Sequence, residues 1–199
     1  MVRNRKLPPR WGVQRLAEAS PLAMIAGAQI HPPVTHPRTP PPLNADFLAM
    51  MVRGVSVIVS ASDAGLVPSV MRAVGSQVSA SGDHITVFLN RSQSVQLLRN
   101  VATTDRLAVV FSEPGTHRTL QLKARGVRIR EAAQSDVPTL ERYLDSMKVE
   151  LGRVGIGPPL VAAMLAHRLD DVVALEFTPE EAFDQTPGPR AGQPISGAP

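Results

Sequence analysis

The sequence predicts an α+β fold, mainly β, in which a small antiparallel barrel carries a few packed helices. Three observations support this fold class. Several short segments alternate apolar and polar residues, as strands with one buried face do. Turn-forming stretches such as "SDAG" (62–65) and "SGD" (81–83) separate the first of these segments. Segments with helical spacing come mainly after them, which favours helices packed on an antiparallel sheet.

Composition limits the class of protein further. The chain has 199 residues, of which 43% are hydrophobic and 19% charged, enough for one packed domain. It has no cysteine, which excludes a disulfide framework and thiolate metal sites. The same absence fits a reducing compartment, and we expect a cytoplasmic protein. No segment approaches the roughly 20 apolar residues of a membrane-spanning helix, so we expect no membrane partner.

The basic charge of the chain is concentrated at its start. Residues 1–42 hold nine of the 19 prolines, six of the 21 Lys and Arg residues, and a single acid. We expect a disordered, proline-rich basic tail there. Residues 43–199 carry 15 basic and 16 acidic residues, which leaves no obvious surface for a duplex. We therefore expect one domain over 43–192, a flexible C-terminus over 193–199, and no nucleic-acid partner. Nucleic-acid binding through the tail is the weaker alternative.

In the first half of the domain, a helix precedes three strands. "LNADFLAMM" (43–51) has helical spacing with Asn44 as a candidate cap. "GVSVIVSAS" (54–62), "LVPSVMRAVGSQVSA" (66–80) and "HITVFLN" (84–90) each alternate as a strand does. Short turns join them, so we expect an antiparallel meander in which the second strand is long.

The second half mixes helices and strands. "RSQSVQLLRNVATTD" predicts a helix capped by Ser92 or Ser94, and "RLAVVFS" and "RTLQLKARGVRIR" predict a fourth and a fifth strand. "DVPTLERYLDSMKVEL" has a clear apolar stripe, and "PPLVAAMLAHRL" predicts a further helix. "DVVALEFT" reads as the last strand, and "TPEE" (178–181) has the spacing of a helix start. The Asp170–Asp171 pair before that strand is interpreted as a turn and cap.

One arginine stands out in the second strand. In "PSVMRAVG" (68–75), alternation places Arg72 on the same face as Val70 and Val74. An unpaired guanidinium on an apolar face is costly, and neither 55–62 nor 84–94 contains an acid. The partner is therefore either a carboxylate from elsewhere in the chain or an anion from outside it. The helix start at "NRSQS", with free amides and the Ser92 and Ser94 hydroxyls, would complete a phosphate site.

Five segments together carry a family resemblance. "PSVMRAVG", "ITVFLNRSQS", "RLAVVFS", "THRTLQLKARG" and "FTPEEAFDQTPGPRAG", in this order and spacing, resemble the pyridoxamine 5'-phosphate oxidase-like, FMN-binding split-barrel family. The likeness covers roughly residues 43–192. It implies an antiparallel split barrel, a homodimer, and FMN bound where the subunits meet.

The resemblance also implies which residues bind the cofactor. Arg72 would contact the FMN phosphate, and the Ala73–Gly75 backbone would run beside the flavin ring, with Gly75 leaving room for it. Ser94 matches the phosphate-loop serine. Ala73 and Val74 belong to that second-strand backbone. Phe88 and Leu89 match contacts in the third strand, and Thr119 or Gln121 matches a contact in a later strand. Ser92 and Gln96, in the phosphate loop, complete the candidate set.

One departure from the family pattern bears on function. The family usually has Arg-Lys directly after the phosphate-loop serine, where this chain has Val95 and Gln96. Arg91 and Arg99 flank the same helix start. The function implied is an FMN-dependent oxidoreductase, its substrate and catalytic residues undefined. The alternative is a non-catalytic flavin- or haem-binding module, and a deazaflavin could replace FMN. The scattered histidines and the absence of cysteine predict no metal site.

Overall fold

The protein is described here by a computed structural model, which describes residues 40–195. The expectations for residues 1–39 and 196–199 lie outside the described residues. The described chain contains four α-helices: α1 (Ala45–Arg53), α2 (Val95–Thr104), α3 (Val137–Gly152) and α4 (Pro158–Met164). Its strands are β1 (Ser56–Ser62), β2 (Pro68–Arg72), β3 (Gly75–Val78), β4 (Ile85–Asn90), β5 (Leu107–Ser112), β6 (Thr119–Ala124), β7 (Arg128–Glu131), β8 (Val172–Phe177), β9 (Glu181–Asp184) and β10 (Gln193–Pro194).

The strands form two sheets. A six-stranded sheet has the order β10-β9-β6-β5-β1-β2, and a four-stranded sheet has the order β3-β4-β8-β7. Every strand pair in both sheets is antiparallel. The predicted α+β class with antiparallel strands is confirmed.

The core lies between the inner faces of the sheets and the helices. Along β1, Val57 and Val59 are fully buried while their neighbours are partly exposed, as the alternation in "GVSVIVSAS" predicts. Asn44 caps α1, because its side chain accepts a hydrogen bond from the Phe47 amide at 2.8 Å. The apolar stripe of α3 adds Leu140, Tyr143 and Met147 to the buried residues. Each such side chain stabilises the fold by about 1.5–3 kcal/mol.

The long second strand predicted over 66–80 is wrong, because the chain changes sheets within it. β2 pairs with β1 in the six-stranded sheet, and β3 pairs with β4 in the four-stranded sheet. At the crossing, the Ala73 amide donates to the Val57 carbonyl at 3.0 Å and the Val74 amide donates to Phe88 at 2.8 Å. A continuous apolar run does not reveal this change of partner. The predicted meander is therefore two hairpins in different sheets.

The fifth strand also divides. β6 ends at Ala124 and β7 begins at Arg128 in the other sheet. The turn between them includes Gly126 in the left-handed region, at φ 66°. The Asp105 carboxylate fixes this turn by accepting hydrogen bonds from the Gly126 and Val127 amides at 2.9 and 3.0 Å.

The helix start predicted at "TPEE" is wrong. Glu181–Asp184 is strand β9, which pairs with β6, and β10 pairs with β9 in turn. The predicted last strand, β8, is thus followed by two more. Pairing with β6 satisfies that strand's backbone groups, and this gain outweighs the local capping pattern.

Residues 40–195 contain no helix with the length and apolar character needed to cross a membrane.

Candidate functional site

Arg72 lies at the end of β2, on the outer face of the six-stranded sheet. Its Cα partner is Ile58, which in turn opposes Val110, and Val110 opposes Gln121. Directly opposed residues of antiparallel strands point to the same side, so these four form a row across the face. Val70, on the same side of β2, is 60% exposed. Arg72 therefore stands on an outer surface, and Val74, predicted to share its face, belongs to the crossing between the sheets.

The Arg72 guanidinium has no acidic partner in residues 40–195. Its Nη1 donates a hydrogen bond to the Ser56 Oγ at 3.0 Å, and no described carboxylate lies within ion-pairing distance. Arg72 is half-buried, which limits its hydration. It also acts on the nearby Tyr143 phenol: burial raises the pKa of Tyr143 above its ordinary value, and the Arg72 charge opposes that rise. Of the two partners considered from the sequence, the internal carboxylate is not found in the described chain.

Helix α2 packs on the inner face of β1 and β2 and runs along β2 in the opposite direction. Its Asn100 Nδ2 donates to the Ser69 Oγ at 2.9 Å, and its Thr104 Oγ1 donates to the Ser62 carbonyl at 3.2 Å. Six residues of helix from Asn100 back to Ser94 span about 9 Å. Three residues of strand from Ser69 to Arg72 span about 10 Å. The start of α2 thus reaches roughly the level of Arg72 along β2. Ser69 and Arg72 point to opposite sides of that strand, so α2 packs on the inner face and Arg72 projects from the outer one.

The start of α2 has unused hydrogen-bond donors. Among the described residues, no group accepts from the amides of Val95, Gln96 and Leu97. Ser94, at the N-cap position, is 1% exposed, and its Oγ is buried without a hydrogen-bond partner. Free amides and the helix macrodipole favour an anion. A buried hydroxyl without a partner is a second, independent feature that suits a polar ligand.

Ser92 is already engaged inside the chain. The Asp171 carboxylate accepts a hydrogen bond from the Ser92 amide at 3.0 Å and another from the Ser92 Oγ at 2.5 Å. The Arg91 amide donates to the Asp171 carbonyl at 2.6 Å, and the Arg91 guanidinium pairs with Glu131. Gln96 is exposed, and its Nε2 donates to Asn100 Oδ1 at 2.8 Å. Of the two loop serines, Ser94 alone keeps its hydroxyl unpaired.

Sequence reasoning missed Asp171 as part of this site, because the Asp170–Asp171 pair was interpreted only as a turn and cap. A signal was present in the strand pattern. β4 and β8 are antiparallel, with Asn90 opposite Val172. That pairing brings the residue before β8 beside the residues that follow β4.

The crossing residues and β4 lie inside the chain. Ala73, Phe88 and Leu89 are fully buried, and Val74 nearly so. A Cβ on Gly75 would lie 2.7 Å from Leu140 Cδ2 and 3.1 Å from Phe88 Cδ2. The absence of a side chain at Gly75 therefore makes room for Leu140 of α3 and for Phe88, while its role beside a flavin ring stays a prediction.

Thr119 and Gln121 lie on the same outer face as Arg72. Gln121 Oε1 accepts from Gln185 Nε2 at 3.1 Å, and Thr119 Oγ1 lies 2.9 Å from Ser112 Oγ. Three strand spacings separate β2 from β6, or about 14 Å. The face between them is lined by half-buried Ile58 and Val110. The structure thus places Arg72, Thr119 and Gln121 on one surface, and Ser92, Ser94 and Gln96 at the start of α2.

Comparisons with known proteins are limited to structure. No protein family model matches the chain, and no curated protein matches it. Among solved structures, an F420 reductase is 12% identical with a TM-score of 0.49 over 70% of this chain and 98% of its own. A candidate pyridoxamine 5'-phosphate oxidase from Lactobacillus delbrueckii is 13% identical, with a TM-score of 0.46 over 71% and 93%. HutZ, a heme storage protein from Vibrio cholerae, is 12% identical, with a TM-score of 0.43 over 71% and 94%.

Proposed function

We propose that this protein binds FMN on the outer face of its six-stranded sheet and uses it as an oxidoreductase cofactor. The observation that carries the proposal is the Arg72 guanidinium, which is half-buried and has no carboxylate partner in residues 40–195. A permanent cation in that position is stabilised by an anion from outside the chain. The sequence resembles FMN-binding split-barrel proteins, and the phosphate group of FMN is such an anion.

The proposal requires the donors of Arg72 and of the α2 start to meet at the end of β2 around a single phosphate group. Arg72 supplies a forked cationic donor, and the start of α2 supplies the amides of Val95, Gln96 and Leu97. The buried Ser94 Oγ adds a hydroxyl that has no other partner. Together these donors offer hydrogen bonds to several phosphate oxygens, and charge-assisted bonds of this kind are the stronger ones.

The rest of the row fits a flat aromatic ring better than a compact polar ligand. Ile58 and Val110 present apolar surface between Arg72 and Gln121. Thr119 and Gln121 add hydrogen-bonding groups at the far side of that surface. When bound, FMN would supply the hydride- or electron-transfer chemistry. The side chains of the chain would hold the ring, orient it and exclude water from one side.

A second copy of the chain is the partner that we propose for this face. Val70 is 60% exposed, and Leu66 and Val67, which precede β2, are 72% and 62% exposed. Val70 lies on the outer face, and Leu66 and Val67 lie in the loop before β2; exposed apolar groups gathered in one place are typical of an interaction surface. A two-fold dimer would cover two such faces at once.

The test is a titration of the full-length protein with FMN and with riboflavin, followed by flavin fluorescence. Riboflavin has the same ring and lacks the phosphate. We expect FMN to bind at least about tenfold more tightly, because one charge-assisted phosphate site is worth about 1.5–3 kcal/mol. Equal affinities, or no binding of either flavin, would overturn the proposal. Preference for a deazaflavin or for haem over FMN would overturn the choice of cofactor.

A non-catalytic flavin-binding module is the second candidate function. The Asp171 carboxylate at the start of α2 and the neutral Val95 and Gln96 weaken the phosphate site, which favours a reversible carrier over a tightly loaded enzyme. Anaerobic addition of NADPH or NADH to the FMN complex distinguishes the oxidoreductase from the binding module. Bleaching of the flavin absorbance supports an oxidoreductase, and an unchanged spectrum with both donors supports the binding module.

A further inference from the structure

A second candidate site lies at the end of the six-stranded sheet away from Arg72. A cavity of about 300 Å³ opens there, lined by Ser60, Ser62 and Pro68 on one side and by Ala108, Lys123 and Arg125 on the other. Arg106, Glu180 and Glu181 complete its rim. Half of the lining side chains are small, namely those of Ser60, Ala61, Ser62, Pro68, Ala108 and Ala124. We call this the basic cavity.

Two arginines face each other at the rim of the basic cavity. Leu107 and Ala124 form the last Cα pair of β5 and β6, so Arg106 and Arg125 stand opposite one another one residue beyond it. Like charges placed directly opposite across strands repel. Among the described residues, neither guanidinium has a hydrogen-bond or ion-pair partner. An anion bound between them would relieve the repulsion and satisfy both.

The other charged groups at the cavity already have partners, so the two arginines are the candidate anion ligands. Lys123 is occupied, with its Nζ 3.9 Å from Glu181 Oε2 and 4.3 Å above the Phe183 ring. The nearby Asp105 carboxylate is held by the amides of the β6–β7 turn, at 2.9 and 3.0 Å. Glu180, on the rim, has a partner of its own.

Two hydroxyls on the cavity wall are also unused. Ser60 and Ser62 point to the outer face of β1, and within residues 40–195 neither Oγ takes part in a hydrogen bond. Both are partly exposed and can donate to a ligand oxygen. The volume is at the lower end of the range for sites that bind small molecules.

We propose that the basic cavity binds a small organic anion whose phosphate or carboxylate group lies between Arg106 and Arg125. Its uncharged body would lie over Ser60, Ser62 and Ala108, with hydrogen bonds to the two hydroxyls. The site is separate from the proposed flavin site, because Arg72 lies at the other end of β2 from Pro68. This inference therefore does not depend on the proposed cofactor.

The test is an NMR titration of the full-length protein with inorganic phosphate and, separately, with acetate, at ionic strength held constant with sodium chloride. We expect saturable shifts of the Ser60, Ser62 and Lys123 amides. Arg106→Gln and Arg125→Gln should each raise the phosphate Kd by about threefold to fivefold, the upper part of the range for exposed charges. Tighter binding of phosphate assigns a phosphate ester as the ligand class, and equal binding assigns a carboxylate.

Arg99→Gln is the matched control, because Arg99 is an exposed arginine on α2 whose guanidinium has no partner in the described chain. It should leave the Kd within about twofold. An equal loss in Arg99→Gln would show a general charge effect and overturn the proposal. Shifts confined to Ser94 and Val95 would assign the anion to the start of α2, and would also overturn it. Unchanged spectra of the variants away from the cavity confirm that they fold.

Discussion

The Asp171 carboxylate accepts hydrogen bonds from both the amide and the hydroxyl of Ser92, at 3.0 and 2.5 Å. It therefore places a negative charge of the chain itself beside the start of α2, where the phosphate is proposed to bind. Two like charges about 4 Å apart repel by about 1 kcal/mol or more. With Val95 and Gln96 neutral, Asp171 weakens the site for a phosphate dianion.

Asp171→Asn should therefore strengthen FMN binding. Asparagine keeps the shape and a carbonyl acceptor for the Ser92 amide, and it removes the charge. We expect the FMN Kd to fall by about fivefold and the riboflavin Kd to stay unchanged. Asp170→Asn is the control, because Asp170 is exposed and pairs with Arg168. Equal tightening of riboflavin, or weaker FMN binding in Asp171→Asn, contradicts this account.

Gly75→Ala should destabilise the fold. A Cβ at Gly75 would lie 2.7 Å from Leu140 Cδ2 and 3.1 Å from Phe88 Cδ2, so these two buried side chains must repack. Such overpacking typically costs about 1–3 kcal/mol, read as a lower midpoint in urea unfolding. Gly115→Ala is the control, because no atom lies within 4 Å of the added methyl group. In a Leu140→Ala background the same change at Gly75 should cost less, and an equal cost there would refute the steric explanation.

The Arg130–Asp136 pair predicts a dependence of stability on pH. Asp136 accepts from Arg130 Nη1 and Nη2 at 2.7 and 2.9 Å, and these bonds lower the pKa of Asp136 below its ordinary 3.8. The Asp136 carboxyl group therefore binds its proton less tightly in the folded state than in the unfolded state. The contribution of this pair to the free energy of unfolding is complete at pH values above the ordinary pKa of Asp136. It is lost as the pH falls through the lowered pKa of the folded state.

Asp136→Asn should cost about 1.5–3 kcal/mol near neutral pH, as loss of a charged hydrogen-bond partner does. It should also flatten the loss of stability between roughly pH 5 and pH 3, measured by urea unfolding at several pH values. Asp46→Asn is the control, since Asp46 is exposed and lies 3.9 Å from Arg118. An unchanged acid slope in Asp136→Asn would assign the pH dependence to other carboxylates.

Val110→Lys should break the proposed dimer. Val110 is half-buried between Ile58 and Gln121 on the outer face, and a lysine there would have to be desolvated by the second copy. Sedimentation velocity should show two 21.3 kDa chains together in the natural protein and one in the variant. Val149→Lys, at an exposed position on α3, should leave the dimer intact. A natural protein that sediments as a single chain would contradict the dimer.

Patterns along the chain predicted most of the elements, but not which sheet each strand joins. Alternation in "GVSVIVSAS" and the stripe of α3 correctly placed Val57, Val59 and Leu140 in the core. The same alternation continued through Ala73 and Val74, where the backbone changes partner from Val57 to Phe88. Strand β9 was missed because its pairing with β6 is long-range.

Sequence reasoning defined only part of the candidate site. The absence of a nearby acid left two partners open for Arg72, a carboxylate from elsewhere in the chain or an external anion, and the described chain contains no carboxylate paired with it. The involvement of Asp171 depends on the pairing of β4 with β8, so it could not be obtained from the residues around Ser92 alone. The steric role of Gly75 likewise depends on where α3 packs.

The central claim is that Arg72 binds the phosphate of a flavin. The most direct measurement compares the FMN affinity of Arg72→Ala with that of Arg99→Ala. The account predicts that Arg72→Ala loses about 1.5–3 kcal/mol of FMN binding and keeps its urea midpoint. It also predicts no change in riboflavin binding for Arg72→Ala and no change in FMN binding for Arg99→Ala. An unchanged FMN affinity in Arg72→Ala would contradict the account.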